Sequence, residues 1–417
     1  MEAVKLIPRP LRSVQIPNEL PVTTLAAARP CLLAPVASEA PSIPSLCAGP
    51  QAVLGRILHK LVEDAARGRI HSDSDDDGAV RSRLEWLLHD SQREVHKGSF
   101  SKAFANLKEC FSFNDWHSRT EIAIAEAVRM LGHSRSHQFA VPIPEDRPGR
   151  TIDLNAILRR NGEFTQFEVS FRSRKLRLKG RIDEIAKQSG SIQVIDYKTG
   201  RISDDDGNVS AEIVLQLRLY GLAVLECLPG ATVHLCVRSG EDYYSVGFTV
   251  DDVRQTRSIR AELMRGLPAG QSVQAESLAE LGPHCRICRM RHVCPRYRHQ
   301  ITSLWATPRA GFRLPLDTCG IIVAREKSSD GSYSLTLRDT ADRMVKIDRI
   351  GLSQTEVESM PLFRPVWFFN LCSHEGGMKG PGWNHPRNFY QLPASQGEPQ
   401  AWSMEFFGED LRLADGG

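Results

Sequence analysis

The sequence has 417 residues, of which 41% are hydrophobic and 25% are charged, and its formal net charge is +3. A chain of this size and composition is expected to bury a large core, which excludes an intrinsically disordered protein. Because the net charge is so small, any nucleic-acid-binding surface has to come from a local concentration of basic residues.

The N-terminal third of the sequence predicts an arm followed by helices. Residues 1–22 are interrupted by prolines and predict an extended arm. An apolar stripe over Val53–Ala66 predicts a helix. The segment Arg81–Leu131 also predicts helices, which we interpret as a helical layer inserted into the domain that follows.

The middle of the sequence changes to a pattern of short strands and single helices. Strands are predicted at Phe164–Phe171, Leu176–Ala186, Ser191–Tyr197, Thr232–Arg238 and Tyr243–Val250, with helices over Ala211–Cys227 and Asp251–Arg265. The dipeptide Ser189–Gly190 between two of these strands is typical of a hairpin turn. This order of elements predicts an α/β or an α+β fold, of which we favour α/β.

Trp305–Pro315 predicts a boundary, so we expect one domain over residues 23–305 and a second over residues 312–417. In the second domain the predicted elements are strands at Gly320–Arg325, Tyr333–Arg338 and Met344–Ile350, a helix near Thr355–Met360 and a strand at Pro365–Leu371. This pattern is typical of a small OB-like β-barrel that holds single-stranded nucleic acid. An SH3-like barrel or a purely structural β domain has a similar pattern.

Two runs of basic residues contain no acid and predict phosphate-binding surfaces or solvated faces. The first comprises Arg172, Arg174, Lys175, Arg177, Lys179 and Arg181, and the second comprises Arg286, Arg289, Arg291, Arg296 and Arg298.

The strongest chemical signal lies in the segments GRIDEI and VIDYKTG. Asp183 lies on the first strand of the predicted hairpin and Asp196 on the second, where paired strands bring carboxylates close enough to share one Mg²⁺ ion. Lys198 follows Asp196 by two residues and projects from the same face, where its ammonium can orient an attacking water. Because the flanking residues are apolar, these strands are expected to be buried, and a solvated charged strand is the weaker interpretation.

A second site is predicted at three clustered cysteines. No apolar run reaches the roughly 20 residues of a membrane helix, and the start of the chain does not resemble a signal peptide, so we expect a cytoplasmic protein without a membrane partner. Its ten cysteines are then expected to be reduced. Cys285, Cys288 and Cys294 have the spacing of metal ligands and need a fourth. Zinc would accept His284 or His292, whereas an iron–sulfur cluster normally takes a fourth cysteine.

GRIDEI, VIDYKTG and the downstream segment LQLRLYGLAV together resemble the RecB-like branch of the PD-(D/E)XK nucleases, including its CRISPR-associated exonucleases. The resemblance implies a restriction-endonuclease-like α/β core with a helical insertion, and a Mg²⁺- or Mn²⁺-dependent deoxyribonuclease activity. It implies that Asp183, Asp196 and Lys198 form the catalytic core and that the backbone carbonyl of Tyr197 binds metal.

Further residues match motifs of the same branch. Gln216 and Tyr220 match a Gln-x3-Tyr motif that orders the active-site helix and the substrate, and His59, in GRILH, matches a metal-binding histidine. Glu168 fits a position that is often acidic, although a glutamate at a strand edge is the easier explanation.

The resemblance also favours a 4Fe–4S cluster at the cysteines. Clustered members of the branch carry one cysteine before the GRILH-type helix and three after the nuclease core. Cys31 occupies the early position and, with Cys285, Cys288 and Cys294, would staple the domain shut. Cys47 is the competitor, but it lies closer to the helix than the family arrangement implies.

The implied partner is DNA, single-stranded or at duplex ends, in repair, CRISPR adaptation or anti-phage defence. The sequence has no phosphate-binding loop of the Gly-x4-Gly-Lys type, so strand separation would need a helicase or another partner protein. Two alternatives are a catalytically silent DNA-binding scaffold subunit and an RNA substrate. The helical insertion and the C-terminal domain depart from the minimal CRISPR exonuclease.

Overall fold

The computed structural model describes residues 10–40, 43, 50–71, 75–97, 107–111, 113–136, 153–198, 202–203, 207–239, 242–286, 288–304, 315–327, 329, 333–338, 344–350, 357–358, 362–363, 365–372 and 405–408. Its helices are α1 Val22–Ala26, α2 Leu33–Ser38, α3 Pro50–Ala66, α4 Asp76–Lys97, α5 Phe113–Ser136, α6 Leu154–Leu158, α7 Ala211–Cys227, α8 Val250–Arg265, α9 Ala275–Leu278 and α10 Pro295–Leu304. Its strands are β1 Ser13–Gln15, β2 Leu20–Pro21, β3 Phe164–Ser173, β4 Leu178–Gln188, β5 Ser191–Tyr197, β6 Thr232–Ser239, β7 Asp242–Val246, β8 Ser272–Gln274, β9 Pro315–Lys327, β10 Tyr333–Arg338, β11 Met344–Ile350, β12 Pro365–Cys372 and β13 Glu405–Gly408.

A mixed six-stranded sheet forms the centre of the α/β part, as the predicted fold class requires. Its order is β2-β4-β5-β6-β7, with β3 on the other edge of β4. The β5–β6 pair is parallel and is connected through α7, whereas β3–β4 and β4–β5 are antiparallel. Along one edge of β4, β2 pairs with Leu178 and Lys179, and β5 pairs from Glu184 onward. The stretch 180–183 between them faces a gap in the sheet.

Two hydrophobic clusters cover the two faces of this sheet. On one face α1, α2 and α7 pack against residues such as Ile182 and Val194. On the other face α3, α4 and α5 form a helical layer whose cluster includes Ile195, Tyr197 and Cys236 from the sheet. The predicted helical layer therefore exists, and it is anchored on the strand that carries Asp196. Among the described helices, none combines the length and the apolar character needed to cross a membrane.

The β4–β5 hairpin was predicted closely, although β4 begins and ends two residues later than predicted. β5 and α7 have the predicted bounds, and the turn between β4 and β5 has Ser189 at φ 49° and Gly190 at φ 82°. Two successive positive φ values are those of a type I′ turn, whose twist matches the strands it joins. The prediction for β7 was too long, because Thr249 leaves the sheet to cap α8 through a reciprocal capping box with Asp252.

The described part of the predicted N-terminal arm contains two short extended strands and packs into the core. β1 pairs with β8, and β2 adds to the central sheet beside β4. Val14, Ile16 and Leu20 are buried in the main cluster. These strands are two and three residues long, so their pairing depends on partners more than 100 positions away and leaves little local pattern.

The C-terminal strands form an antiparallel sheet in the order β11-β10-β9-β12-β13. β9 is the longest, and it pairs with β10 on one edge and β12 on the other, with a register irregularity in each pairing. The bounds of β10 and β11 match the prediction. Within the described strands the sheet is open, with β11 and β13 at its edges, and the predicted barrel closure is not among these pairings. Most of the predicted helix Thr355–Met360 lies outside the described residues.

Candidate active site

A cavity of about 800 Å³ opens at the gap in the sheet beside residues 180–183. It is lined by the side of α3, the ends of β4 and β5 and the first turns of α7. The predicted site residues that line it are His59, Asp183, Asp196, Tyr197, Lys198, Gln216 and Tyr220. Residues more than 160 positions apart in the sequence therefore meet in one cavity.

Three possible metal ligands converge at one end of the cavity. Nε2 of His59 lies 3.4 Å from Oε1 of Glu168 and 3.8 Å from Oδ1 of Asp183. The ligand atoms of all three residues lie within 4.8 Å of one another, a spacing that one divalent ion can bridge. His59 reaches this position because α3 buries Leu54, Leu58 and Leu61 and turns the histidine away from its apolar stripe.

Two members of this cluster have pKa values that are shifted upwards. Burial and the neighbouring charge of Asp196 raise the pKa of Asp183 to about 7. Burial opposes the charge on His59, but the hydrogen bond to Glu168 and the charges of Asp183 and Glu168 outweigh it and raise the pKa of His59 to about 9. One buried oxygen each of Glu168 and Asp196 has an ion-pair neighbour but no partner with hydrogen-bond geometry. A divalent cation fits such a donor set.

The second half of the site is a hydrogen-bonded group on β5 and α7. Asp196, 2% exposed, accepts from Nε2 of Gln216 at 2.6 Å and lies 2.8 Å from Nζ of Lys198. The ammonium of Lys198 also donates to Oε1 of Gln216 at 3.3 Å. Gln216 reaches the hydroxyl of Tyr220 at 3.4 Å, because residues four apart share a face of α7.

Gly180 allows α7 to approach the catalytic strand. A Cβ atom at this position would lie 2.7 Å from the ring of Phe171 and 3.1 Å from the ring of Tyr220. The two rings are packed edge to face at 6.0 Å between centroids. The glycine of GRIDEI is therefore required for close packing beside the site.

Glu168 lies at the site although its sequence position alone did not predict it as a ligand. It lies on β3, an edge strand among the described strands, but its side chain is buried at 5% exposure. Val169 pairs with Ile182 and Phe167 with Glu184, which places Glu168 across from Asp183. Its φ is 56°, a conformation that is uncommon outside glycine and that costs about 1–3 kcal/mol. Its sequence signal is a single acid in the run FEVSF, which is otherwise apolar except for Ser170.

The side chain of Tyr197 faces away from the cavity into the helical layer. Its hydroxyl donates to Glu184 and accepts from Nη2 of Arg129 on α5 at 3.3 Å. Its backbone N–H donates to Oδ2 of Asp183 at 2.8 Å. The residue thus ties the helical layer to the strand that carries the site.

We expect Tyr197→Phe to lower the free energy of unfolding by about 1–3 kcal/mol, because Glu184 loses the hydroxyl that hydrogen-bonds it. Mn²⁺ affinity should stay unchanged, since the backbone carbonyl is retained. Denaturant unfolding and calorimetric Mn²⁺ titration measure the two quantities. Tyr244→Phe is the matched control, because the Tyr244 hydroxyl has no hydrogen bond within the described residues. A large loss of Mn²⁺ affinity in Tyr197→Phe alone would contradict this division of roles.

The structure brings the four predicted cluster cysteines together. Cys31, Cys285 and Cys294 are buried in the main hydrophobic cluster, and Cys288 packs against it. Burial is the main cause of a raised pKa at the last three, and the neighbouring Cys31 contributes to it. Cys47 lies outside the described residues.

His284, a possible zinc ligand, lies beside the cysteines, with its Nε2 3.7 Å from Sγ of Cys285. The same Nε2 of His284 donates to the backbone carbonyl of Glu280 at 2.9 Å.

The basic run around the cysteines does not form one phosphate-binding face. Arg291 is 3% exposed, and its guanidinium donates to the carbonyl of Cys288 at 2.9 Å. Arg298 donates to the carbonyl of His292. These two arginines stabilise the cysteine-bearing loops, which corrects the prediction of a surface that includes them.

Comparison with known proteins identifies a family. The model of the PD-(D/E)XK nuclease superfamily matches residues 44–295, more than half of the chain, from just before α3 to the last cluster cysteine. The crystal structure of SSO0001 is similar to the chain at 17% sequence identity, over 51% of this chain and 96% of that one, with a TM-score of 0.23. Among curated proteins, none matches the chain.

Proposed function

The chain belongs to the PD-(D/E)XK nuclease superfamily, and on that premise we propose that it is a metal-dependent deoxyribonuclease of the RecB-like kind. The superfamily implies DNA as the substrate, and we propose single strands or duplex ends as the form that is cut. The observation that carries the proposal is the convergence of Asp183, Asp196, Lys198 and His59 on one cavity. The test is cleavage of end-labelled DNA with Mg²⁺ or Mn²⁺, compared with EDTA.

We assign the metal to the end of the cavity where the histidine lies. His59, Asp183, Asp196 and the carbonyl of Tyr197 would hold it, and Glu168 is added to this set because its carboxylate lies 3.4 Å from the His59 ring. A divalent cation supplies charge neutralisation at the scissile phosphate and lowers the pKa of the attacking water.

The lysine and the α7 residues act on the substrate side. The Lys198 ammonium, held by Asp196 and Gln216, donates to the attacking water or to the non-bridging phosphate oxygens and offsets the negative charge that develops there. Burial opposes its charge, but the charge of Asp196 outweighs burial and raises the pKa of Lys198, so it acts as a cation rather than as a base. Gln216 and Tyr220 fix the orientation of this group.

Metal binding is expected to release protons. Metal ligands have to be deprotonated, and in the metal-free protein the pKa of His59 is about 9 and that of Asp183 about 7. The logarithm of the Mn²⁺ affinity should therefore rise by about two per pH unit below pH 7 and by about one between pH 7 and 9. Calorimetry in buffers of different ionisation enthalpy measures the released protons. In His59→Gln the slope should fall by about one, and an affinity independent of pH would contradict the ligand set.

We propose that Cys31, Cys285, Cys288 and Cys294 bind a 4Fe–4S cluster with a structural role. The support is that all four lie in or against the main hydrophobic cluster and that Cys31 is close enough to raise the pKa of the other three thiols. A cluster bound by Cys31 and by the three later cysteines would link the N-terminal and C-terminal parts of the domain.

We propose that the C-terminal strands belong to an OB-like domain that holds single-stranded DNA or a partner protein. The support is the long β9, shared between a three-strand meander and β12, which is the pairing an OB-type barrel has before its edges close. A helicase or another protein of repair, CRISPR adaptation or defence would supply strand separation. We place the protein in the cytoplasm.

The second candidate is a catalytically silent DNA-binding subunit. It is weakened by the hydrogen-bonded group of Asp196, Lys198 and Gln216. Removing charged groups from water costs free energy, and apolar residues in their place would stabilise a purely structural site at least as well. Binding of DNA without metal-dependent cleavage would favour it. Cleavage rates of DNA and RNA oligonucleotides of the same sequence test whether the substrate is DNA or RNA, which differ at the 2′-hydroxyl.

A further inference from the structure

Four basic side chains continue from the active site along one face of the β3–β4 hairpin. We call Arg172, Arg174, Lys179 and Arg181 the basic ladder. Alternate residues of a strand share a face, so Arg181 and Lys179 follow Asp183 on the cavity side of β4. Arg172 on β3 pairs directly with Lys179, and Ser170 pairs with Arg181.

Placing Arg172 directly opposite Lys179 is unfavourable for the sheet, since like charges across a strand pair repel. Two acids reduce the repulsion: Glu19 lies 2.7 Å from Arg172, and Glu39 lies 2.8 Å from Lys179. The side chains of Arg172 and Lys179 nevertheless stay 71% and 37% exposed. A purely structural pair of strands would not need two facing cations, whereas a polyanionic ligand would.

A second cavity lies at the far end of the ladder. It has a volume of about 500 Å³ and is lined by Pro17, Asn18, Glu19, Arg172, Arg174 and Lys179. Arg172 and Lys179 line the active-site cavity as well, so the two cavities meet at these side chains. Arg177 is not part of the ladder, because its guanidinium donates to the backbone carbonyls of Asn18 and Leu267.

We propose that the basic ladder binds the phosphates of one DNA strand and leads it from the active site into the second cavity. The distance from Asp183 to Lys179 along β4 is about 13 Å, enough for several phosphates on one side of the scissile bond. Space favours a single strand. A cube of the larger cavity's volume has an edge of about 9 Å, less than the roughly 12 Å major groove of a duplex alone. The proposal rests on the proposed nuclease function, because that function defines the active site at which the bound strand begins.

The test is DNA binding by Arg172→Gln/Lys179→Gln, measured in EDTA so that no cleavage occurs. The probe is a fluorescent oligothymidylate of about 12 nucleotides, within the range that such grooves cover. We expect binding roughly tenfold weaker and a salt dependence reduced by about 1.4, or about 0.7 for each lost phosphate contact. Arg257→Gln/Arg265→Gln, which removes two exposed charges from α8, is the matched control and should bind like the wild type.

Two further arms separate the alternatives. The double variant should lose more kcat/KM on the longer strand, mainly through a higher KM, than on a dinucleotide, which has no phosphate beyond the scissile one. Arg174→Gln, an exposed turn residue, gives a second variant if the double variant does not fold. Wild-type affinity and salt dependence in the folded variants would overturn the proposal, as would a defect confined to duplex DNA. Binding is measured without metal, so it does not depend on cleavage. If the protein cuts no DNA but binding still depends on the basic ladder, the nuclease proposal fails and the proposal for the basic ladder stands.

Discussion

Lys198→Ala is expected to reduce DNA cleavage by about 10³-fold or more while DNA binding and the fold are kept. Lys198 is the one cation within hydrogen-bond reach of both Asp196 and Gln216 in the described cavity. Its removal takes away charge stabilisation that is needed only as the phosphate reacts, so the loss should appear in kcat with KM nearly unchanged.

The fold of this variant should survive because Asp196 keeps the hydrogen bond from Gln216. Circular dichroism and oligonucleotide binding check this point. Lys187→Ala on the same strand pair is the matched control: that ammonium donates to the carbonyl of Arg160, far from the cavity, and its loss should not affect cleavage. Cleavage at the wild-type rate by Lys198→Ala would exclude the superfamily mechanism for this chain.

Cys31→Ser is expected to remove the iron and to lower the melting temperature by roughly 10 °C or more. Binding energies of structural metal sites reach about 10 kcal/mol, and this one would join Cys31 to cysteines about 250 positions later in the sequence. Iron and sulfide analysis after anaerobic purification, with visible absorption, measures the cluster.

The same variant separates the cluster from the zinc alternative. A zinc site built on Cys285, Cys288, Cys294 and a local histidine would keep its metal and its melting temperature in Cys31→Ser. Cys227→Ser, at the end of α7 and outside the four, is the matched control and should leave the iron content unchanged. Zinc in place of iron in the wild type would remove the cluster proposal and leave the nuclease proposal intact.

The centre of the site could be predicted because its information is local. Alternation along β4 and β5 and the Ser189–Gly190 turn fix which residues face each other, and the four-residue spacing of Gln216 and Tyr220 fixes a helix face. Side chains alternate between the faces of a strand every two residues and return to one face of a helix about every 3.6 residues, so both patterns can be read from the sequence.

Other features could not be predicted because they depend on distant partners. β2 joins the sheet through two residues that pair about 160 positions later in the chain. Glu168 is a site residue only because the register of β3 places it across from Asp183, in a backbone conformation that no sequence pattern announces. Arg291 looks like a surface cation in the sequence, but the fold buries it against the cysteine loop.

The central claim is metal-dependent DNA hydrolysis, and its most direct test is a titration of Mn²⁺ or Mg²⁺ into the purified full chain with an end-labelled oligonucleotide. We expect cleavage that rises with metal concentration, stops with EDTA, and returns when metal is restored. Stable DNA binding with no cleavage at any concentration of either metal would contradict the claim and favour the scaffold subunit.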